Sequence, residues 1–286
     1  MVTRDLNRLI AELEADSSLV EPNRLRKRVE VLDELDALCG DADSKPTETD
    51  LYERTRAIRA LLEGANAAIY QAIRSEVQRG ARPHGLRRWI QVCASKGTPP
   101  RGLGYDDLDE LISGVLQLRE PGNAPVHPGP EEVFYQPTPA RHILQMIEVS
   151  GLSEADVLVD LGSGLGHVSL LASILTRARS IGIEAEAAYV ASARECAESL
   201  GLSPVTFVQQ DARDADLSTG TVFYLYTPFT GALLQSVLDK LRKEGGKRDI
   251  RVCTLGPCTL VVAKEPWLRE SAPPNADRIA CFRSGG

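Results

Sequence analysis

The sequence predicts an α/β fold: a mostly parallel seven-stranded sheet with helices on both faces, preceded by an all-helical region. Three observations predict it. Up to about Leu118 the apolar residues recur at helical spacing. Residues 120–139 then hold Pro121, Pro125, Pro128, Pro130, Pro137 and Pro139, which excludes a regular helix or a central strand there. From Ala140 onward, short apolar strands alternate with helices, the grammar of a parallel sheet covered on both sides.

Taken in order, Leu6, Leu9, Ile10 and Leu13 mark a first helix, and Leu25, Val29, Leu32, Leu35 and Leu38 a second. Polar residues around Asp43 and Ser44, followed by Pro46, separate these from a long helix over Asp50 to Gln78. A shorter helix from Asp106 to Leu118 starts at an acidic cap. No internal repeat is present. The organisation expected is a helical region over 1–119, a Pro-rich linker and loop over 120–139, and an α/β core over 140–286.

Within the core, a helix from Ala140 to Ser150 precedes the strand Val157 to Leu161. A helix from His167 to Arg177 leads to the strand Ser180 to Glu184, and a helix from Ala187 to Leu200 to the strand Val205 to Gln209. The strand Val222 to Tyr226, the helix Gly231 to Lys243 and the strand Ile250 to Thr254 continue the series. Thr259 to Ala263 and Arg278 to Phe282 read as two last strands forming an antiparallel hairpin. The stretch around Trp267 is then the link between them.

Composition narrows the function classes. With 286 residues the chain can bury a full core without metal or disulfide staples. A net charge of −7 gives no general affinity for nucleic acid or anionic membranes. No apolar run of about 18 residues exists to cross a membrane, and the acidic N-terminus does not read as a signal peptide. The six cysteines (Cys39, Cys93, Cys196, Cys253, Cys258 and Cys281) are scattered without zinc-type spacing. They read as buried reduced thiols, and the location expected is cytoplasmic, with no metal site.

The strongest local signal is the turn Val159-Asp-Leu-Gly162-Ser163-Gly164-Leu-Gly166-His167-Val168. Its glycines stand at alternate positions, so it is neither a Gly-x-Gly-x-x-Gly dinucleotide turn nor a phosphate loop. Three carboxylates raise it above a structural turn. Asp160 precedes the first glycine, where it can hold the loop or meet an ammonium group. Glu184 ends the next strand, where a carboxylate can accept both hydroxyls of a ribose. Asp211, with Ala212 beside it, ends the third strand and can accept from the exocyclic amine of adenine. All three lie at the carboxyl ends of strands, where open parallel sheets bind ligands.

On these residues, the chain from about Tyr135 onward resembles the class I S-adenosylmethionine-dependent methyltransferases. Val157 to Gly166 matches that family's first motif, Glu184 its ribose acid and Asp211 its adenine-side acid. The resemblance implies a Rossmann-like seven-stranded sheet with an antiparallel last strand, and S-adenosylmethionine as cofactor. A narrower resemblance joins Asp160 to Val168 and Gly182-Ile183-Glu184 to the Dot1-like lysine methyltransferases. Those also carry a helical region and a cofactor loop before the core, here Tyr135-Gln136-Pro137-Thr138-Pro139. This chain departs from them at His167, where Gln is usual, and at Tyr226-Thr227-Pro228-Phe229, where an Asn-containing motif is usual.

The cofactor-binding set expected is therefore Tyr135, Gln136, Thr138, Asp160, Gly162, Ser163, Gly164, Gly166, His167, Glu184, Asp211 and Ala212. Methyl transfer needs an aligned acceptor more than a reactive protein group. Tyr226 and Thr227 are expected to hydrogen-bond the acceptor through backbone or hydroxyl groups, with Phe229 as a wall and Pro228 stiffening the turn; an ordinary strand-to-helix turn with a buried aromatic is the competing reading. His167 and His142 are candidate bases, for which simple packing is the competing reading. A basic run from Arg74 to Arg101, with Arg79, Arg82, Arg87, Arg88 and Lys96 against the single acid Glu76, stands beside Trp89. It is either an RNA-binding surface or a solvated helix face.

The function expected is methyl transfer to a protein side chain or small molecule. The alternatives are an RNA methyltransferase using the basic run and a cofactor-binding module without catalysis. The helical region would then cover the acceptor, select it or form an oligomer.

Overall fold

The helical spacing of the N-terminal region produces, among the described residues, five α-helices in the computed structural model: α1 (Val2–Ala15), α2 (Leu25–Cys39), α3 (Thr49–Gln78), α4 (His84–Ala94) and α5 (Asp107–Leu116). The structure describes residues 2–39, 49–80, 84–94, 104–121, 131, 133 and 135–285. The break around Asp43 to Pro46 lies outside them, as do Arg82, Lys96, Arg101, Pro125, Pro128 and Pro130. The α4 helix was not separated out from the sequence. The acidic cap of α5 is a capping box, in which Asp106 accepts from the Leu108 N–H at 2.9 Å and Asp109 accepts from the Asp106 N–H at 2.7 Å.

Two apolar clusters organise these helices. Leu6, Ile10, Val31, Leu35, Leu51, Ile58 and Leu62 join α1, α2 and the first half of α3. Fully buried Arg28 ties this bundle together, donating to Asn66 Oδ1 and to the carbonyls of Leu19 and Glu21. The second half of α3 behaves differently. Ile69, Tyr70, Ile73 and Val77, with Leu86 of α4 and Leu111 and Val115 of α5, belong to the same cluster as one face of the sheet.

The core contains α6 (Ala140–Ser150), β1 (Val157–Leu161), α7 (His167–Thr176), β2 (Arg179–Glu184), α8 (Ala187–Ser199), β3 (Val205–Gln209), β4 (Val222–Tyr226), α9 (Gly231–Gly245), β5 (Arg251–Leu255), α10 (Cys258–Val262), β6 (Leu268–Glu270) and β7 (Ala280–Ser284). The sheet order is β3-β2-β1-β4-β5-β7-β6. The first five strands run parallel and β7 lies antiparallel to both neighbours, the Rossmann-like seven-stranded arrangement expected. Strand alternation sorts side chains to two faces. Leu158, Tyr224 and Cys253 pack toward α6 and α7, whereas Val159, Phe223 and Val252 pack toward α9.

One strand assignment is corrected. Thr259 to Val262 lies in the short helix α10, capped by Ala263, and not in a strand. Its β-branched run suggested β structure, but Gly256 at φ +80° turns the chain and Pro257 sits at the helix start, where its fixed φ favours helix. The Thr254 and Thr259 hydroxyls, 2.9 Å apart, hold that turn against β5. The partner of β7 in the terminal hairpin is instead β6, drawn from the segment read as a link. Among the described residues no helix is long and apolar enough to cross a membrane, and no cluster of potential metal ligands occurs.

Candidate active site

The order of the strands reverses between β1 and β4, which themselves run parallel, and parallel sheets open a crevice at such a point. Here it is a cleft of about 700 Å³ at the carboxyl ends of the strands. The glycine turn forms its floor. The N–H groups of Gly162 and Ser163 both donate to the Ile183 carbonyl, at 2.9 and 3.0 Å, which pins the turn to the end of β2. Glu184 completes the link. One carboxylate oxygen accepts from the Gly164 N–H at 2.8 Å and the other from the Glu186 N–H at 2.9 Å. Each oxygen keeps a lone pair for a ligand.

Gly164 has φ +51°, and an added Cβ would lie 2.0 Å from the Tyr135 ring. The absent side chain is what lets Tyr135 lie on the turn. That ring also meets Tyr189, with centroids 4.9 Å apart, and its hydroxyl is 3.1 Å from His167 Nδ1. Burial lowers the His167 imidazole to about 4, so it is neutral at pH 7. It packs and hydrogen-bonds Tyr135, as the packing alternative anticipated, and does not carry a charge. His142 is buried on α6 beside Gln145 and does not line the cleft.

The remaining expected residues converge. Tyr135, Gln136, Thr138, Asp160, Gly162, Ser163, His167, Glu184, Asp211, Ala212, Tyr226, Thr227 and Phe229 all line the cleft, while Gly164 and Gly166 shape its floor from behind. Thr138 bonds the Tyr224 hydroxyl at 3.1 Å, fastening the loop to β4. Burial, with the nearby Glu184 charge adding to it, pushes the Asp160 carboxyl up to about 7, and Ser169 is its donor at 3.3 Å. The Ser163 and Tyr226 hydroxyls are buried without a hydrogen-bond partner among the described residues. Buried polar atoms are seldom orphaned in this way.

Two expectations change. Asp211 is already engaged, its carboxylate gripped by the Arg213 guanidinium at 2.6–3.1 Å and by the Arg213 N–H at 2.8 Å. Those bonds hold its carboxyl below the ordinary value. The Thr227 hydroxyl does not serve the cleft. It donates to the Leu255 carbonyl at 3.0 Å and accepts from the Cys258 N–H at 3.1 Å, while its backbone sits at φ +39°. Thr227 is thus a positioning residue, holding Tyr226, Pro228 and Phe229 in place.

Sequence reading missed Tyr189, Gln210, Tyr224 and Leu233 in the lining. It also missed Glu131, whose carboxylate accepts from the Ala232 and Leu233 N–H groups at 2.9 Å and caps α9 from across the chain. A lone glutamate 100 residues before the helix it caps leaves no local signal.

Arg74 and Arg87 of the basic run point away from the cleft. Arg74 is buried and donates to the Val115 carbonyl at 2.5 Å and to Ser199 Oγ at 3.0 Å. Gln78 donates to the Ser199 carbonyl at 2.8 Å, and Arg87 donates to the Leu175 carbonyl. These contacts cap the C-terminal ends of α5, α7 and α8, whereas the cleft lies at the opposite ends of α7 and α8.

Residues 152–244 match the family model of a methyltransferase domain. The matched segment runs from just after α6 to the last turn of α9 and so contains the glycine turn, the three acids and the turn after β4. No curated protein matches the chain. Among solved structures, the chain is similar to an RNA methyltransferase from Salinibacter ruber in complex with S-adenosyl-L-homocysteine. That alignment has 27% identity and a TM-score of 0.42, covering 52% of this chain and 92% of that one. It is also similar to a precorrin-6y C5,15-methyltransferase from Geobacter metallireducens, with 17% identity, a TM-score of 0.42, and 54% and 92% coverage. A third is a Pyrococcus abyssi tRNA (uracil-54, C5)-methyltransferase, with 16% identity, a TM-score of 0.39, and 52% and 39% coverage.

Proposed function

We propose that this chain transfers a methyl group from S-adenosylmethionine to a protein side chain or small-molecule acceptor. The observation that carries the reading is the joint between Glu184 and Gly164. One carboxylate orders the glycine turn and still offers free lone pairs at the end of β2, the acceptor set a ribose diol needs. The orphaned Ser163 hydroxyl, on a turn where side chains would obstruct a ligand, fits the amino-acid end of the same cofactor. Asp160 lies beneath it and would face the ammonium group. Asp211 would take the adenine amine only by sharing its carboxylate with Arg213.

When bound, S-adenosylmethionine supplies an electrophilic methyl on a sulfonium. The chain contributes position. Phe229 and Tyr226 wall the acceptor side, and the unpartnered Tyr226 hydroxyl is available to orient a polar acceptor. The helical region reaches this side through α5. Asp109 accepts from the Ala140 N–H at 2.6 Å, and Tyr105 donates to the Pro137 carbonyl at 2.7 Å. We therefore assign acceptor selection to residues 1–119, acting on the loop within 120–139 and the core within 140–286.

The test has two parts. Calorimetry should detect S-adenosylmethionine binding, and no heat at millimolar ligand removes the cofactor. Radiolabelled methyl transfer into fractionated lysate should label the protein or small-molecule fraction. Label in no fraction, with binding intact, supports a cofactor-binding module. Label confined to RNA, and lost in the Arg87→Ala/Arg88→Ala variant, supports the basic-run reading instead.

A further inference from the structure

The antiparallel pairing of β5 with β7 sets Cys253 opposite Cys281. The kind of pair they form follows from the ladder. Ser284 donates its N–H to the Ile250 carbonyl at 3.0 Å, so 250 and 284 are a hydrogen-bonded pair. Pairs alternate along an antiparallel ladder, which makes Cys253 and Cys281 a non-hydrogen-bonded pair. In such pairs the Cα atoms approach to about 4.5 Å and side chains lie closest. A disulfide spans about 4.4–6.8 Å between Cα atoms, so the bridge needs little movement of either strand.

The chemistry of the two thiols differs. Cys253 is fully buried, and its S–H is hydrogen-bonded to Cys281. That bond, with the Arg283 and Arg251 guanidiniums on the same face, holds the Cys281 thiol below its ordinary value. Cys196 and Cys258 are also buried, but burial raises both thiols. Access also differs: Cys281 keeps 6% of its surface exposed and Cys253 none, so Cys281 is the thiol an oxidant reaches first.

We propose that Cys253 and Cys281 are a two-thiol oxidation site for a hydroperoxide, with Cys281 as the attacking thiol and Cys253 as the resolving one. In the first step the Cys281 sulfur attacks the terminal peroxide oxygen. The O–O bond breaks, the departing oxygen takes the thiol proton, and Cys281 becomes a sulfenic acid. In the second, the Cys253 sulfur attacks that sulfenic sulfur. The S–S bond forms, the S–O bond breaks, and the hydroxyl leaves as water with the Cys253 proton. Two thiols lose two electrons and two protons. With hydrogen peroxide the oxidant is reduced to two waters.

The experiment uses the full chain and hydrogen peroxide, followed by thiol counting in denaturant and peptide mapping without reductant. Of six titratable thiols, two should disappear, and a peptide joining Cys253 to Cys281 should appear and vanish with dithiothreitol. In Cys253→Ser, a sulfenic-acid trap should label Cys281. Six thiols persisting after peroxide, or a bridge to any other cysteine, overturns the proposal. So does trapping at Cys253 in Cys281→Ser in place of Cys281 in Cys253→Ser. The wild-type map decides the question even if a serine variant fails to fold.

Discussion

Replacing Thr227 by valine removes its hydroxyl while keeping its shape, and so isolates the fastening of the turn after β4. Two hydrogen bonds are lost, one to the Leu255 carbonyl and one from the Cys258 N–H, both in buried surroundings. A buried group left unpaired costs about 1–3 kcal/mol, so two give roughly 2–4 kcal/mol of destabilisation after partial relaxation. For a chain of this size that lowers the melting temperature by on the order of 5–10 °C. Thr227→Ser keeps both bonds and drops only a methyl group, so it should stay within about 1 kcal/mol of the wild type. Thr227→Gly should fall between them, because a glycine at φ +39° escapes a left-handed strain of about 1–2 kcal/mol. Urea unfolding followed by circular dichroism ranks the three. If valine were as stable as serine, or serine as damaging as valine, the fastening role would be wrong.

Gly164→Ala should weaken S-adenosylmethionine binding at least tenfold by calorimetry, because its Cβ collides with the Tyr135 ring and its φ of +51° disfavours alanine. Unchanged affinity would show that the ring is not seated as described. The pH dependence of stability should have two components of opposite sense. Asp160, raised to about 7 when folded, contributes stability that is full below its unfolded value of about 4 and is lost as pH rises through 7. His167, lowered to about 4, contributes stability that is present above about 6.5 and is lost as pH falls through 4. Asp160→Asn should therefore flatten the neutral side of the stability profile, and His167→Gln the acid side, each measured by urea unfolding.

The parts of the site that were legible in the sequence are those encoded within a few residues. Gly162, Gly164 and Gly166 signal a turn because few other residues tolerate such backbone angles, and Glu184 is visible because it ends an apolar strand. The seating of Tyr135 on Gly164 depends on a contact across 29 positions and leaves no local mark. The Asp211–Arg213 pair was local and could have been read, since a cation two residues from an acid at a strand end competes for it. The Thr259 to Ala263 run failed for a different reason. Its propensity favours a strand, but Gly256 and Pro257 dictate the path just before it, and there the turn outweighs the propensity. Glu131 and Thr227 share one trait: each serves an element far away in the chain.

The capping of α7 and α8 by Arg87 and Gln78 has a consequence for how this chain can be divided. Both helices begin at the cleft and end under the N-terminal helices, so each is gripped at one end by the region that receives ligand and at the other by α3 and α4. A polypeptide starting at residue 140 would keep every cleft-lining side chain from Ala140 onward. It would also expose Leu175, Ala197 and Leu200 to water and leave two helix ends uncapped. The N-terminal helical region is therefore no interchangeable attachment. It is a retaining wall for the ends of α7 and α8 that lie farthest from the ligand.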